Sequence, residues 1–134
     1  MAKISRFEDI EAWQKARFMT KAIYQVTSQG PFARDFALRD QIRRAGVSSM
    51  SNIAEGFERD GNREFIQFLS NSKGSIGEVK SQLYVALDAR FLNEPEFNRL
   101  YELAHEAGRL TGGFMRYLQT SAYRGRKFDE HGAR

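Results

Sequence analysis

Apolar residues recur every three or four positions along most of this chain, which is the spacing of a helix that buries one face. Four such stretches cover residues 9–27, 35–58, 62–91 and 95–122. Turn-forming and helix-starting residues separate them, namely Gly30-Pro31, Asp60-Gly61-Asn62 and Asn93-Glu94-Pro95-Glu96. Four amphipathic helices with short connections predict an all-α fold, an antiparallel up-down-up-down four-helix bundle.

Helices two and three each carry a second apolar stripe beside the main one. The main stripe of helix two contains small residues, among them Gly46, Ser49 and Gly56, which predicts that a neighbouring helix approaches closely. The second stripes give more apolar surface than one four-helix core needs, so we expect a homo-oligomer. Its expected interface consists of six side chains: Phe36, Val47, Met50, Ala54, Ile66 and Tyr84.

Length and composition predict a single domain, 1–134, with one core, because the chain has 134 residues of which 41% are hydrophobic. Residues 1–8 are expected to form an irregular lead-in, with Phe7 and Ile10 docked on the core, and residues 123–134 a basic tail. No stretch approaches the ~18 apolar residues of a membrane-spanning helix. The absence of cysteine and of an apolar leader favours a cytoplasmic protein with no membrane partner.

The charge balance makes RNA or DNA a candidate partner. The chain has 21 Lys and Arg residues against 17 Asp and Glu residues, a formal net charge of +4. Most of the cations are arginines, which suit bidentate phosphate contacts. The candidate nucleic-acid-binding residues form two clusters, Arg34, Arg39 and Arg43 near helix two and Arg124, Arg126 and Lys127 in the tail. The alternative is pairing of the helix-two arginines within or between subunits, because Asp35 and Asp40 lie beside them.

The sequence predicts no catalytic residue, cofactor or metal site, so we expect a protein that is not an enzyme. Glu102 and His105 have the spacing of half a di-iron site, but the other histidine, His131, has no glutamate three positions before it. No serine lies in a nucleophile-elbow signature. Glu55 and Glu78 lie off the main stripes, where an interhelical ion pair or hydrogen bond is favoured over an acid–base pair.

Motifs in helices two and three resemble those of a known family. Residues 41–48 read Gln-Ile-Arg-Arg-Ala-Gly-Val-Ser, residues 52–56 read Asn-Ile-Ala-Glu-Gly, and residues 74–78 read Gly-Ser-Ile-Gly-Glu. Through these motifs residues 7–118 resemble the S23 ribosomal protein-like proteins encoded in intervening sequences of bacterial 23S ribosomal RNA. The resemblance implies motif or structural roles for seven residues: Arg44, Asn52, Glu55, Gly56, Gly74, Ser75 and Glu78. Met50 stands where family members often have proline, which permits a straighter second helix.

The resemblance implies an antiparallel four-helix bundle that assembles into a ring-like homopentamer and has no known catalytic activity. The fold is also similar to that of the accessory protein of diversity-generating retroelements, a basic pentamer that binds nucleic acid and a reverse transcriptase. Two functions stay open. One is an oligomeric protein that binds nucleic acid, above all structured RNA, through phosphate contacts. The alternative is an accessory or scaffold subunit that engages another protein, such as a reverse-transcriptase-type partner.

Overall fold

The computed structural model describes residues 3–120 and shows an all-helical protein with no strand in that range. A 3-10 turn at Phe7–Asp9 precedes five α-helices. Their bounds are α1 Glu11–Val26, α2 Gly30–Arg34, α3 Phe36–Glu58, α4 Asn62–Asp88 and α5 Glu94–Thr120. Within this range no helix combines the length and the apolar character that crossing a lipid bilayer requires.

The four long helices pack side by side. α1 contacts α3 and α5, and α4 contacts the same two helices on their other sides. The core between them consists of two clusters of buried apolar side chains. The first core cluster includes Met19, Ile23, Ile42, Ile76, Val79, Leu83 and Leu100. The second core cluster includes Ile10, Ala16, Ile53, Phe57, Phe65, Leu69, Phe114 and Leu118. As expected, Ile10 is buried and Phe7 packs against the second cluster.

The beginning of the chain differs from the prediction of one helix over residues 9–27. The 3-10 turn ends at Asp9, and Ile10 has an extended backbone between this turn and α1. The short helix α2 was not predicted, because Gly30-Pro31 was interpreted as a simple helix end. Proline is compatible with the first turn of a helix, and Pro31 lies in the first turn of α2. The buried Phe32 holds this helix in place by stacking on Phe91, with 5.2 Å between ring centroids.

The boundaries of the later helices follow from local hydrogen bonds. Asp35 caps α3 by accepting a hydrogen bond from the Leu38 amide at 3.0 Å, and α3 then runs without a break past Met50. α5 begins with a reciprocal capping box, in which the Asn93 and Glu96 side chains each accept from the other's amide at 2.9 Å. The predicted end of the last helix, residue 122, lies outside the described residues.

α4 is three residues shorter than the predicted range of 62–91. The amide of Phe91 donates to the Ala86 carbonyl at 2.8 Å, and the amide of Arg90 donates to the Leu87 carbonyl at 3.0 Å. These two bonds form a Schellman motif, which requires a left-handed residue after the helix. Arg90 occupies that position with φ of +65°. The helix therefore ends at Asp88 although the apolar pattern continues.

Small residues bring α3 close to both of its neighbours, as the sequence predicted. A Cβ at Gly46 would lie 3.1 Å from the Thr20 hydroxyl oxygen of α1, and that hydroxyl donates to the Gly46 carbonyl at 3.0 Å. On the other side, Ser72 of α4 donates to the Ser49 carbonyl at 2.8 Å. Gly56 allows Phe65 of α4 the same close approach.

Candidate nucleic-acid interface

Arg43 joins the first half of α3 to the end of α1. Its Nε donates to the Thr27 hydroxyl at 2.8 Å and its Nη2 donates to the Ser28 hydroxyl at 3.1 Å. Its guanidinium lies 4.4 Å from the centre of the Tyr24 ring, a cation–π distance. The side chain is half-buried, and three contacts therefore fix its orientation.

Arg39 is also held within the chain. Its Nη1 donates to the Ala33 carbonyl at 3.0 Å, its Nε donates to the Asp40 carboxylate at 2.9 Å, and its guanidinium lies 4.7 Å from the centre of the Phe36 ring. Arg34 is exposed at the end of α2. These three arginines, which the sequence grouped near its second predicted helix (α3 in the structure), thus differ. Arg34 extends into solvent, whereas Arg39 and Arg43 stabilise the junction of α1, α2 and α3.

Arg43 belongs to a basic surface, and the sequence predicted only some of its residues. We call it the α1/α3 groove and define it by five side chains: Arg17, Lys21, Tyr24, Arg43 and Arg44. The first three come from α1 and the last two from α3. The α1 residues went unnoticed, although their spacing of four and then three positions places them on one face of a helix. Arg124, Arg126 and Lys127 of the predicted tail cluster lie outside the described residues.

Tyr24 lies between two shallow hollows in the α1/α3 groove. The first has a volume of about 720 Å³ and is lined by Arg17 and Lys21, among others. The second has a volume of about 480 Å³ and is lined by Arg43 and Arg44. Tyr24 lines both hollows and is 41% exposed. One exposed aromatic ring therefore has a pair of cations on either side.

The α1/α3 groove keeps its positive charge because the acid that lines it is compensated. Asp40 lines the second hollow, and its carboxylate accepts the 2.9 Å hydrogen bond from Arg39, which lies outside the groove's five side chains. Arg17, Lys21 and Arg44 are exposed, so their charged ends are accessible to a ligand. Clustered cations around an aromatic ring can bind phosphate groups and a planar base at the same time.

The motif residues that carried the family resemblance lie along the seam between α3 and α4. The hydroxyls of Ser48 and Ser75 are 2.9 Å apart and join the two helices, and the Nδ2 of the Asn52 side chain donates to the Ser48 carbonyl at 2.9 Å. Residues three or four positions apart on a helix share a face, which extends this seam in both directions. We call it the motif face and define it by six residues: Ser48, Asn52, Glu55, Gly74, Ser75 and Glu78. The motif residue Arg44 belongs to the α1/α3 groove instead.

Two features of the motif face were not expected. Glu55 forms an ion pair with Arg59 of its own helix at 3.0 Å, so the predicted contact across to another helix is wrong for this residue. Gly74 is exposed, and a Cβ placed there would meet no atom within 4 Å. Gly56, by contrast, is buried and has a packing role at the contact of α3 with α4.

The six expected interface side chains do not form one patch. Phe36, Val47 and Tyr84 are exposed, with 63%, 42% and 50% of their surface accessible. Met50 and Ile66 instead pack partly against the second core cluster. Tyr84 lies on the α5 side of α4, with its ring centroid 4.9 Å from that of Phe97, whereas Phe36 and Val47 belong to α3. Ala54 of α3 is half-buried.

The packing of α1, α3, α4 and α5 defines an all-helical protein with a helical-bundle-like fold. The chain belongs to the family of 23S rRNA-intervening sequence proteins, whose family model matches residues 8–113. No curated protein matches the chain.

A solved structure shares this fold. It is the crystal structure of a protein of unknown function from the S23 ribosomal protein family of Bacteroides thetaiotaomicron VPI-5482. The two structures agree with a TM-score of 0.71 at 18% sequence identity, over 78% of this chain and 98% of that chain.

Proposed function

We propose that this protein is a self-associating, non-enzymatic four-helix bundle that binds nucleic acid through phosphate contacts in the α1/α3 groove. The observation that carries the proposal is the groove itself, where four cations surround one exposed tyrosine. Phosphate contacts of this kind give affinity without reading the sequence of bases. Structured RNA is the proposed ligand, because the excess of cations over acids in the sequence favours a polyanion.

The helix contacts support an antiparallel up-down-up-down bundle. Each of the four long helices packs against two of the others, as in a bundle of square cross-section. The connections between them are short, and short connections favour antiparallel neighbours. The small helix α2 belongs to the connection between α1 and α3.

The motif face supports self-association. A glycine in the interior of a helix costs about 1 kcal/mol relative to alanine, and Gly74 has no neighbour within residues 3–120 that would require it. Close approach by a helix of a second copy is a physical reason for keeping a glycine there. The face also has exposed apolar neighbours, Val47 on α3 and Val85 on α4, at 42% and 51% exposure. Its charged residues, Glu55 and Glu78, are acidic, so it suits a protein surface better than a phosphate backbone.

We propose a pentameric ring, a number that comes from the family resemblance. A ring needs two different faces in contact, because each copy meets the next head to tail. Exposed apolar side chains on both α3 and α4 meet that need. Five chains of +4 each would carry a formal charge of +20, so modest basic patches would act together and raise the avidity for a polyanion.

A salt titration tests phosphate binding. The affinity of the protein for a labelled, structured RNA is measured by fluorescence anisotropy at several salt concentrations. The logarithm of affinity is expected to fall linearly with the logarithm of salt concentration. Replacing Arg17 and Lys21 together by Ala is expected to flatten the slope by about two, one for each phosphate that is no longer neutralised. The double change Arg63→Ala with Arg99→Ala removes the same charge from exposed positions elsewhere and is the matched control.

The tail is tested in the same titration by replacing Arg124, Arg126 and Lys127 together by Ala. Flattening of the slope by about one unit per cation removed, in this variant and in the one without Arg17 and Lys21, means that both groups of cations contact phosphates. If the wild-type protein binds neither RNA nor DNA at low salt and ~10 µM, nucleic-acid binding is refuted. The accessory-subunit function, with a protein such as a reverse-transcriptase-type polymerase as partner, then takes its place.

A further inference from the structure

Tyr24 is a large aromatic side chain exposed on the surface of α1. Its ring lines the hollows on both of its sides and stays 41% exposed, so it does not serve to fill the core. The guanidinium of Arg43 lies 4.4 Å from the ring centre, and the hydrogen bonds to Thr27 and Ser28 hold that guanidinium independently of the ring. The arginine therefore stays in place whether or not the tyrosine is present.

The two hollows are open to solvent and carry the charge that consecutive nucleotides need. Each hollow has its own pair of cations, Arg17 with Lys21 on one side of the ring and Arg43 with Arg44 on the other. The two pairs of cations can thus neutralise the phosphates on either side of one nucleoside while its base lies against the Tyr24 ring.

We infer that the α1/α3 groove binds a single-stranded polynucleotide with an unpaired base stacked on Tyr24, an inference that rests on the proposed nucleic-acid binding. A base in a duplex is already stacked on both faces, so it cannot meet the ring, whereas a base in a loop or an open strand can. Stacking on an aromatic side chain tolerates any base, because every base has a π face. In a structured RNA the ligand would therefore be an unpaired loop.

The test compares three ligands of one sequence, a ten-nucleotide unstructured RNA, the DNA of the same sequence and the RNA duplex. Tyr24→Ala is expected to weaken binding of the single strands by roughly 5- to 150-fold, the effect of removing about one stacked base, and to change duplex binding less than twofold. Tyr24→Phe keeps the ring and is expected to bind like the wild type. Tyr24→Leu keeps apolar bulk without a π face and is expected to resemble Tyr24→Ala.

Tyr117→Ala is the matched control, because Tyr117 is 39% exposed on α5, away from the groove. Circular dichroism of each variant verifies that its helices are intact. Equal losses of affinity for single strand and duplex in Tyr24→Ala, or no loss at all, overturn the stacking role and leave phosphate binding standing. If the wild-type protein binds none of the three ligands, the proposed function fails together with this inference.

Discussion

Position 56 has room for no side chain larger than a hydrogen atom. A Cβ there would lie 2.8 Å from a ring carbon of Phe65 and 2.8 Å from the Cβ of Phe68. Because Phe65 packs in the second core cluster, it cannot move away without disturbing its neighbours. Gly56→Ala is therefore expected to destabilise the fold by about 1–3 kcal/mol, the usual effect of overpacking, despite the better helix propensity of alanine. Urea unfolding measured by circular dichroism gives the value.

Gly77 provides the control for this prediction on the same pair of helices. It is exposed on α4, and a Cβ there would meet no atom within 4 Å. Gly77→Ala is expected to raise the free energy of unfolding by up to about 1 kcal/mol through helix propensity alone. Two substitutions of one chemical kind should thus have effects of opposite sign. If both raise stability, the contact of α3 with α4 at Gly56 is looser than the structure shows.

Single residues also show what sequence can and cannot predict about the candidate site. Arg43 was identified as a candidate binding residue because other cations lie near it on the second predicted helix, which is α3 in the structure. Its hydrogen bonds to Thr27 and Ser28 and its contact with Tyr24 join two helices, so they depend on how α1 and α3 cross. The spacing of residues along one helix does not determine how that helix crosses another. The partner Tyr24 was therefore missed although its own helix was predicted.

At the scale of helices, the end of α4 has a conformation that its residue does not favour. Arg90 has φ of +65°, a region that costs a side-chain-bearing residue roughly 1–2 kcal/mol and glycine almost nothing. Arg90→Gly is expected to raise the free energy of unfolding by about 1 kcal/mol and the melting temperature by a few degrees. Arg90→Ala keeps the Cβ and removes the same charge, so it should give little of this increase. Equal increases from both would assign the effect to the charge of Arg90.

Helix boundaries were predictable where neighbouring residues determine them. The capping box of Asn93 and Glu96 can be read from four consecutive residues, and it forms as expected. The helix α2 depends on Phe32 stacking on Phe91, which is far away in the chain, so no local pattern indicates it. The end of α4 was placed too late for a related reason. Phe91 continues the apolar pattern beyond the helix. From spacing alone, an apolar residue that packs at the turn cannot be distinguished from one that packs on the face of the helix.

At the scale of the whole molecule, the four apolar stripes were enough to predict an all-helical chain, because burial of one face per helix is the main stabilising term. The same stripes did not distinguish the apolar side chains that become covered from those that stay exposed. Met50 and Ile66 belong to second stripes yet pack partly against the second core cluster, whereas Phe36, Val47 and Tyr84 stay exposed. Which side of a stripe becomes covered depends on the sideways offset between neighbouring helices, and hydrophobic spacing does not determine that offset.

Self-association through the motif face can be tested at Gly74, where a larger side chain has no cost within one chain. It is exposed with no atom within 4 Å of a Cβ, so Gly74→Leu should leave the fold intact and slightly stabilise α4. In an oligomer whose subunits approach closely at this point, the leucine would hold two helices apart. Light scattering is then expected to give the mass of one 15.4 kDa chain for Gly74→Leu and several times that mass for the wild type.

Asn98→Leu supplies the control for this last prediction, since it adds an exposed leucine on α5, outside the motif face. That variant should keep the mass of the wild-type oligomer, because its substitution lies away from the proposed contact. An oligomer that survives Gly74→Leu places the subunit contact elsewhere on the chain, with Phe36 and Tyr84 as the next residues to replace. A wild-type protein that is monomeric at micromolar concentration rules out self-association, and the basic groove must then bind its ligand without the avidity of a ring.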